Sequence, residues 1–577
     1  MEKRWIIAPT PEADKVQELS KALNINPSLA ALLIQRGITD FDEAKDYFRP
    51  QLSHLHSPWL MRDMDKAVKR LQHAIQNHQK ILVYGDYDVD GTTSVTLVFD
   101  FLRQRYAHID FYIPDRYTEG YGISYIGIDW AKENNFELII ALDCGVKSVA
   151  HIAYANERNI DFIICDHHRP GDVLPQAAAV LDPKRDDCEY PYKELSGCGV
   201  GFKLMQAYCL AENIPAEELY PYLDLAVVSI ASDIVPITGE NRVMAYFGLQ
   251  QICKAPRAGL RALLDVAGIK PDDISQQFKL QISNLVFGVG PRINAAGRIA
   301  HAKAAVELLL ANDKDQAAKF AEGINLRNDE RRDFDSTITQ QALEMIAEDP
   351  FLQSSKSTVL FRNDWHKGVI GIVASRCIEK YYRPTIVLTE SNQKATGSAR
   401  SVAGFDVYEA ISECSDLLEQ FGGHTHAAGL TLSLDKVQIF REKFEKVVQE
   451  RITPEQTVPQ IDIDGVLPLN QITQSFYNIV KQMSPFGPQN MQPVFMSEGV
   501  IDTGYSRVLE GKNGKNEHLK LSVCQENGGR ADAIAFGMAE FYPQIATKKP
   551  FNICYTIEEN HFRGNVTLQL MIKDIQF

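Results

Sequence analysis

Three aspartates stand at alternate positions in residues 83–94, which read Val-Tyr-Gly-Asp-Tyr-Asp-Val-Asp-Gly-Thr-Thr-Ser. They are Asp86, Asp88 and Asp90, and they fall where a strand-like run gives way to a helical pattern. Three like charges within five residues repel one another unless cations compensate them. The segment therefore indicates a cation site, and a solvated acidic loop is the alternative that this segment alone leaves open.

More carboxylates and two histidines follow apolar runs further along the chain. Asp143 comes directly after residues 138–142, and Asp166-His167-His168 comes directly after residues 162–165. Asp233 closes an apolar helical run. Ligand sites of open α/β sheets form at the carboxyl ends of strands, so we expect these side chains to meet at one edge. Asp143 or Asp233 taken singly could instead cap a helix, but three strands that end in this way favour one common site.

The ligand types indicate which metal such a site would prefer. Oxygen donors with one or two imidazoles and no thiolate favour Mn²⁺, with Mg²⁺ next and zinc less suited. Two divalent cations that share a carboxylate can activate a water and stabilise the leaving oxygen of a phosphoryl displacement. The sequence therefore predicts two divalent cations, Mn²⁺ preferred and Mg²⁺ as the alternative, and phosphodiester hydrolysis without a covalent intermediate.

The elements that must position these residues are predicted by hydrophobic periodicity. From about residue 80, short β-branched runs alternate with helical patterns, which predicts a doubly wound α/β domain with a parallel sheet. Residues 313–348 are rich in helix formers and free of proline, so they predict one long linking helix. A smaller α/β pattern begins at residue 358. Beyond residue 453, short strands and turn signals predict an OB-like β-barrel, with a small sandwich as the alternative.

These patterns divide the 577 residues into five parts. We expect an N-terminal helical extension (1–60), the parallel-sheet domain with a helical subdomain (61–300), the linking helix (301–350), the smaller α/β domain (351–452) and the barrel (453–577). A chain of this length is longer than one hydrophobic core usually supports.

Composition excludes several classes of protein. The net charge of -15 argues against a broad basic face that coats duplex DNA. Ten cysteines without a C-x-x-C pair predict reduced thiols, with neither a zinc site nor a disulfide framework. The N-terminus lacks the apolar core of a signal peptide and no apolar run is long enough to cross a bilayer, which predicts a cytoplasmic protein without membrane association. We expect a monomer.

Two segments carry arginines that could hold a nucleic-acid strand. Residues 113–122 combine Arg116 with Tyr121, and an arginine can fork onto a phosphate while a tyrosine stacks a base. A mobile loop with incidental charge is the alternative. Residues 286–298 place Arg292 and Arg298 in a glycine-rich stretch that we interpret as an anion-binding turn. An interdomain turn pinned by arginine to a carboxylate is the alternative there.

The smaller α/β domain opposes the overall charge of the chain. Residues 362–400 contain seven lysines and arginines against three acidic residues. His424 and His426 lie in a glycine-rich segment with no carboxylate or cysteine close by, so we favour phosphate or base contacts over a second metal site, and a structural turn stays open. In the barrel, Arg507, Lys512, Lys515, Lys520 and Arg530 among aromatic residues are compatible with guiding single-stranded DNA.

Asp166-His167-His168, together with Asp86-Tyr87-Asp88-Val89-Asp90-Gly91, resembles the DHH phosphoesterase superfamily. The order of blocks along nearly the whole chain is similar to the branch of that superfamily that degrades single-stranded DNA. The resemblance implies that five residues hold two metals, namely Asp88, Asp90, Asp143, His167 and Asp233. It also implies that Asp143 bridges the ions, that Asp86 and Asp166 support the ligands, and that His168 faces the scissile phosphate.

The resemblance extends to substrate and partners. It implies that Arg116, Ser398 and Arg400 form a pocket for a 5′-phosphate, so that single-stranded DNA is cleaved processively from its 5′ end. It further implies a role in DNA repair and recombination, with a helicase and a single-strand-binding protein as partners.

Two alternatives compete with this interpretation. One is a related enzyme that cleaves a cyclic dinucleotide, a very short oligonucleotide or pyrophosphate; the C-terminal segment and the Arg116 loop favour a polymer instead. The other is a catalytically dead scaffold that binds DNA or replication partners. Every metal-ligand position that the resemblance requires is filled, which favours an active enzyme.

Overall fold

The computed structural model describes residues 3–271, 280–299, 301–511, 514–526, 528–562 and 564–577. Lys512, one of the basic residues predicted to guide DNA, lies outside the described residues.

Five parallel strands form the first sheet, here called the parallel sheet, in the order Ile109–Tyr112, Lys80–Gly85, Phe136–Leu142, Asp161–Cys165 and Ala179–Leu181. Along the second of these strands Ile81 and Val83 enter one hydrophobic core, while Leu82 and Tyr84 enter another. Successive side chains of a strand point to opposite faces, and helices cover both faces. Those helices are Met64–Gln76, Val89–Arg103 and Gly197–Glu212 on one side, and Tyr125–Glu133 and Val149–Asn156 on the other. The predicted doubly wound domain is confirmed.

A helical subdomain follows the parallel sheet. Its helices are Leu223–Ser232, Gly239–Lys254, Ala258–Val266, Ile282–Asn284, Gly290–Ile299 and Lys303–Leu310, with a π-helical turn at Leu285–Val289. The prediction of a glycine-rich turn at residues 286–298 is therefore wrong. The glycines serve close packing instead: a Cβ at Gly290 would lie 2.8 Å from Ser232 Oγ, and one at Gly297 would lie 2.7 Å from the carbonyl oxygen of Tyr87.

One helix of 35 residues, Lys314–Glu348, links this domain to the next. It begins where the Asp313 side chain accepts a hydrogen bond from the Gln316 amide at 2.8 Å, as an N-cap residue does. The linking helix predicted from residues 313–348 is confirmed, but it does not begin at residue 301, because residues Lys303–Leu310 form a separate helix.

The second sheet has five strands in the order Gln420–His424, Ala427–Ser433, Lys394–Arg400, Thr385–Ser391 and Thr358–Arg362. Only the last two of these strands pair in parallel. The helices of this domain are Pro350–Ser354, Ile370–Tyr381, Val407–Ser412 and Val437–Arg451. The smaller α/β domain is confirmed.

The C-terminal strands close into a barrel. Their order is Gly465–Val466, Phe495–Asp502, Phe551–Phe562, Asn565–Gln576, Arg530–Ala535, Asn516–Cys524 and Arg507–Glu510. The ring closes because Ile501 pairs with Cys524 and Asp502 pairs with Val523. Two helices, Gln474–Gln482 and Tyr542–Ile545, accompany the strands. The OB-like barrel is confirmed.

The N-terminal segment packs against the barrel. Strand Arg4–Ile7 pairs in parallel with Gln460–Ile463, and the helices Ala13–Leu23, Pro27–Gln35 and Phe41–Phe48 share one hydrophobic core with the barrel strands. Buried Arg242 joins this unit to the helical subdomain, because its guanidinium donates to the carbonyl oxygens of Tyr47 and Ser484, both at 3.0 Å. Across the described ranges, none of the helices has the length and apolar character needed to cross a lipid bilayer.

Candidate active site

The predicted aspartates and histidines converge at the carboxyl edge of the parallel sheet. His167 is central: its Nε2 lies 3.1 Å from Asp143 Oδ1, 3.5 Å from Asp233 Oδ2 and 3.7 Å from Asp90 Oδ2. Two overlapping groups, Asp143–His167–His168 and Asp90–His167–Asp233, each place their ligand atoms within 4.8 Å of one another. Four separate segments of the chain therefore contribute to one cluster.

Local backbone geometry directs these side chains inward. Asp88 is the N-cap of the helix Val89–Arg103, and its Oδ1 accepts a hydrogen bond from the Gly91 amide at 2.9 Å. Only glycine fits at position 91, since a Cβ there would lie 2.4 Å from the carbonyl oxygen of Asp86. Asp143 adopts a left-handed backbone with φ of 59°, a conformation that costs of order 1 kcal/mol for a non-glycine residue. Strain of this kind is characteristic of residues held for a function.

Several buried polar atoms of the cluster have no hydrogen-bond partner. They are Asp143 Oδ1, Asp86 Oδ2 and both ring nitrogens of His167. Burial and the neighbouring Asp90 raise the pKa of Asp143 well above its ordinary value, and burial and Asp90 raise the pKa of Asp233 to about 8. Buried polar atoms without partners are costly, and a cation compensates both the missing contacts and the repulsion. Oxygens with an imidazole are the donors that a hard divalent cation prefers, so the residues fit the predicted metal.

His168 is oriented by Asp166. Asp166 Oδ1 lies 2.8 Å from His168 Nδ1 and also accepts hydrogen bonds from the backbone amides of His167 and His168. Burial disfavours the charged imidazole, but the hydrogen bond to Asp166 outweighs it and raises the pKa of His168 to about 9. A raised pKa favours the charged imidazole, in which Nε2 can donate a hydrogen bond.

Tyr121 and Asp86 connect the Arg116 loop to the cluster. The Tyr121 hydroxyl donates to the carbonyl oxygen of Asp143 at 3.1 Å and lies 3.4 Å from His168 Nε2. Asp86 Oδ1 accepts from the Gly122 amide at 3.1 Å. The exposed ring of Tyr121 thus lies beside the imidazole of His168.

A cleft of about 500 Å³ lies between the parallel-sheet domain and the smaller α/β domain. Four cationic side chains line it, those of Arg116, Arg298, Lys367 and Arg400, and no carboxylate is among its described lining residues. Burial and the nearby Arg116 lower the pKa of Arg298 to about 10. An uncompensated positive cleft of this kind suits a phosphate.

Ser398 and Arg400 meet the start of the helix Ile370–Tyr381 in this cleft. Arg400 Nη1 donates to Ser398 Oγ at 2.9 Å. A Cβ at Gly371 would lie 2.8 Å from Arg400 Nη2 and 2.9 Å from Ser398 Oγ, so glycine permits both side chains to reach the helix N-terminus. Helix N-termini attract anions, which adds to the charge of the arginines.

Apart from the barrel residues, three predicted DNA-binding residues lie in neither the cleft nor the metal cluster. Arg292 lines a separate cavity of about 1420 Å³ beside the linking helix, and its guanidinium donates to Asn325 Oδ1 and to the carbonyl oxygen of Gly288. It is pinned to neutral oxygens and not to a carboxylate. His424 and His426 lie at the tip of a β-hairpin with ring centroids 6.1 Å apart. DNA contacts by these three residues stay predictions.

Three residues that lie in or beside the metal cluster and the cleft were not predicted as site residues from the sequence. Tyr87 lines the cleft and carries the Arg116 guanidinium 4.9 Å above its ring. Its position between Asp86 and Asp88 is the signal that could have identified it. Lys367 precedes a glycine just before the start of a helix, and Ser229 lies one helical turn before Asp233.

The chain matches three families of protein domain. Residues 80–230 match the DHH family, N-terminal domain, residues 354–450 match the DHHA1 domain, and residues 463–574 match the RecJ OB domain.

Full-length relatives and a solved structure agree with these domains. The single-stranded-DNA-specific exonuclease RecJ of Bacillus subtilis is 36% identical over 573 residues, which cover 99% of this chain and 70% of the relative. RecJ of Salmonella typhimurium is 32% identical over 588 residues, with 98% of each chain covered. The crystal structure of RecJ in complex with Mn²⁺ from Thermus thermophilus superposes with a TM-score of 0.84 at 25% identity, covering 100% of this chain and 79% of that one. Identity of this extent over three matching domains shows that the chain belongs to the RecJ family.

Proposed function

We propose that this protein is a single-stranded-DNA-specific exonuclease that releases nucleotides from the 5′ end by hydrolysis with two divalent cations, Mn²⁺ preferred, in DNA repair and recombination. One observation carries the proposal: a carboxylate–imidazole cluster with unpartnered buried atoms lies beside a cationic cleft whose described lining contains no carboxylate. The RecJ relatives support the substrate, and the Mn²⁺-bound RecJ structure supports the metal.

Asp88, Asp90, Asp143, His167 and Asp233 would hold the cations. Bound there, the cations would supply a nucleophilic water at neutral pH and neutralise charge on the leaving oxygen. Asp143 would be shared by the two cations, as the resemblance implies, and its buried Oδ1, without a hydrogen-bond partner and 3.1 Å from His167 Nε2, is open to a cation. Asp166 orients His168, so that the imidazole would donate a hydrogen bond to an oxygen of the scissile phosphate.

The cleft would bind the 5′-phosphate through Arg116, Ser398 and Arg400. Fixing that phosphate sets which phosphodiester bond reaches the metal cluster, and therefore where the strand is cut. Downstream nucleotides would pass the barrel, where the rings of Tyr505 and Phe536 are 81% and 56% exposed and free to stack on bases. The exposed rings favour a polymer over a cyclic dinucleotide or a very short oligonucleotide.

We also infer the context of the reaction. Unwinding of duplex DNA exposes 5′-ended single strands, so a helicase would supply the substrate and a single-strand-binding protein would cover it. One chain contains both the metal cluster and the phosphate cleft, which is consistent with a monomer as the active unit.

Digestion of end-labelled DNA tests the proposal. With Mn²⁺, we expect a 5′-phosphorylated single strand to be degraded to mononucleotides, while blunt duplex and circular single-stranded DNA stay intact. Circular DNA is the matched control, since it offers the same bases without an end. Faster turnover of a dinucleotide than of the long strand, or cleavage of the circle, would contradict the proposal.

A further inference from the structure

We infer that Ser229 and the turn Ser196-Gly197-Cys198 form an anchor that holds Asp90 and Asp143 in the metal-binding arrangement before any cation is bound. The inference rests on the metal centre of the proposed function and assigns positioning residues to it. These residues touch the carboxylates and not the reacting atoms, so they would act through Asp90 and Asp143.

Asp90 is held by four hydrogen bonds. The amides of Gly197 and Cys198 donate to its Oδ2 and Oδ1 at 2.7 and 2.8 Å, and both belong to the first turn of the helix Gly197–Glu212. The Ser229 hydroxyl donates to Oδ1 at 2.7 Å, and Ser94 Oγ lies 3.3 Å from the same oxygen. A carboxylate has about four lone-pair sites, two on each oxygen. Three donors share the two lone pairs of Oδ1, with Ser94 the most distant, whereas Oδ2 accepts one hydrogen bond and keeps one free lone pair on the atom nearest His167.

The serine hydroxyls extend the anchor. Ser229 Oγ and Ser196 Oγ lie 2.6 Å apart, and Ser196 Oγ also accepts from the Gly199 amide at 3.1 Å. The Ser229 hydroxyl is placed to donate to both Ser196 Oγ and Asp90 Oδ1, and the ionised carboxylate is the stronger acceptor for its single proton. Both serines are fully buried, so water does not replace either contact.

The same turn touches Asp143. A Cβ at Gly197 would lie 2.6 Å from the Cβ of Asp143 and 2.8 Å from its Oδ1. Because residue 197 is a glycine, its backbone amide can donate to Asp90 while its Cα packs against Asp143. Gly197 consequently fixes the spacing of the two carboxylates.

Ser229 links a third ligand to the anchor. It lies in the helix Leu223–Ser232, and its carbonyl oxygen accepts from the amide of Asp233 at 2.9 Å. A shift of this helix would therefore move two groups at once, the Ser229 hydroxyl that holds Asp90 and the carboxylate of Asp233. The anchor couples ligands from three separate elements.

The test compares Mn²⁺ affinity among serine variants of the full chain. Removing a partner that orients a metal ligand typically weakens metal binding about 10- to 100-fold. We expect Ser229→Ala and Ser229→Cys each to raise the Mn²⁺ dissociation constant, read from the electron paramagnetic resonance signal of free Mn²⁺, by about 10-fold. Cysteine keeps the volume of the side chain but is a weak donor, so it separates hydrogen bonding from packing. Turnover at saturating Mn²⁺ should largely recover in both variants.

Ser497→Ala is the matched control. Ser497 is as fully buried as Ser229, but its hydroxyl contacts Leu467 and Tyr555 in the barrel, so Mn²⁺ affinity should stay at the wild-type value. Wild-type affinity in both Ser229 variants, or weak binding in Ser229→Ala that Ser229→Cys fully restores, would overturn the inference. Failure of the wild-type chain to bind Mn²⁺ at all would instead contradict the proposed function.

Discussion

Replacing Asp143 with alanine should lower the rate of single-strand hydrolysis in Mn²⁺ by about 10⁴-fold. The side chain that would be shared by both cations is lost, and a barrier increase of about 5 to 6 kcal/mol corresponds to that factor. In the absence of metal the variant should fold as stably as the wild type, because a buried carboxylate repelled by Asp90 and Asp88 is removed. Single-turnover cleavage of a 5′-phosphorylated strand measures the rate.

Two controls accompany this substitution. Anisotropy of a labelled single strand should show retained binding, because the cleft residues are untouched. Asp110→Ala removes an exposed aspartate from the edge strand of the same sheet and should leave hydrolysis unchanged. Cleavage by Asp143→Ala within tenfold of the wild-type rate would rule out a bridging role for this carboxylate.

Replacing Arg400 with alanine should remove the preference for a 5′-phosphate. The guanidinium lies with Ser398 at the N-terminus of a helix, and the cleft supplies no competing carboxylate from its described lining residues. A charge-assisted contact to phosphate contributes about 1.5 to 3 kcal/mol, so kcat/KM for a 5′-phosphorylated strand should fall by about 10- to 100-fold. The same strand with a 5′-hydroxyl should be affected much less.

Lys394→Ala provides the comparison for Arg400. It removes a positive charge from the same strand, Lys394–Arg400, but this lysine is paired with Glu419 at the surface. We expect Lys394→Ala to lower kcat/KM only slightly, and by the same factor for the 5′-phosphorylated and the 5′-hydroxyl DNA strand. An equal loss on 5′-phosphate and 5′-hydroxyl strands in Arg400→Ala would show that the cleft does not recognise the terminal phosphate.

Local pattern was sufficient to predict the three folded domains and the linking helix. Strands such as Phe136–Leu142 are buried on both faces, so their continuous apolar runs can be recognised in the sequence without knowledge of the tertiary structure. Because the carboxyl ends of parallel strands meet at one edge of a sheet, the convergence of Asp90, Asp143 and His167 could also be predicted.

Other features depend on contacts that local pattern does not encode. The glycines of residues 286–298 look like turn residues, yet Gly290 and Gly297 lie in a helix, where the close approach of Ser232 and Tyr87 leaves no room for a Cβ. The pairing of Arg4–Ile7 with Gln460–Ile463 joins opposite ends of the chain. Ser229 resembles any buried helical serine in sequence, and only its 2.7 Å contact with Asp90 distinguishes it.

The central claim is that the carboxylate–imidazole cluster holds two divalent cations with Asp143 between them. Anomalous diffraction at the manganese edge from crystals grown with Mn²⁺ tests this directly. We expect two peaks, both within coordination distance of Asp143, one of them also at His167. A single peak, or peaks that do not contact Asp143, would contradict it.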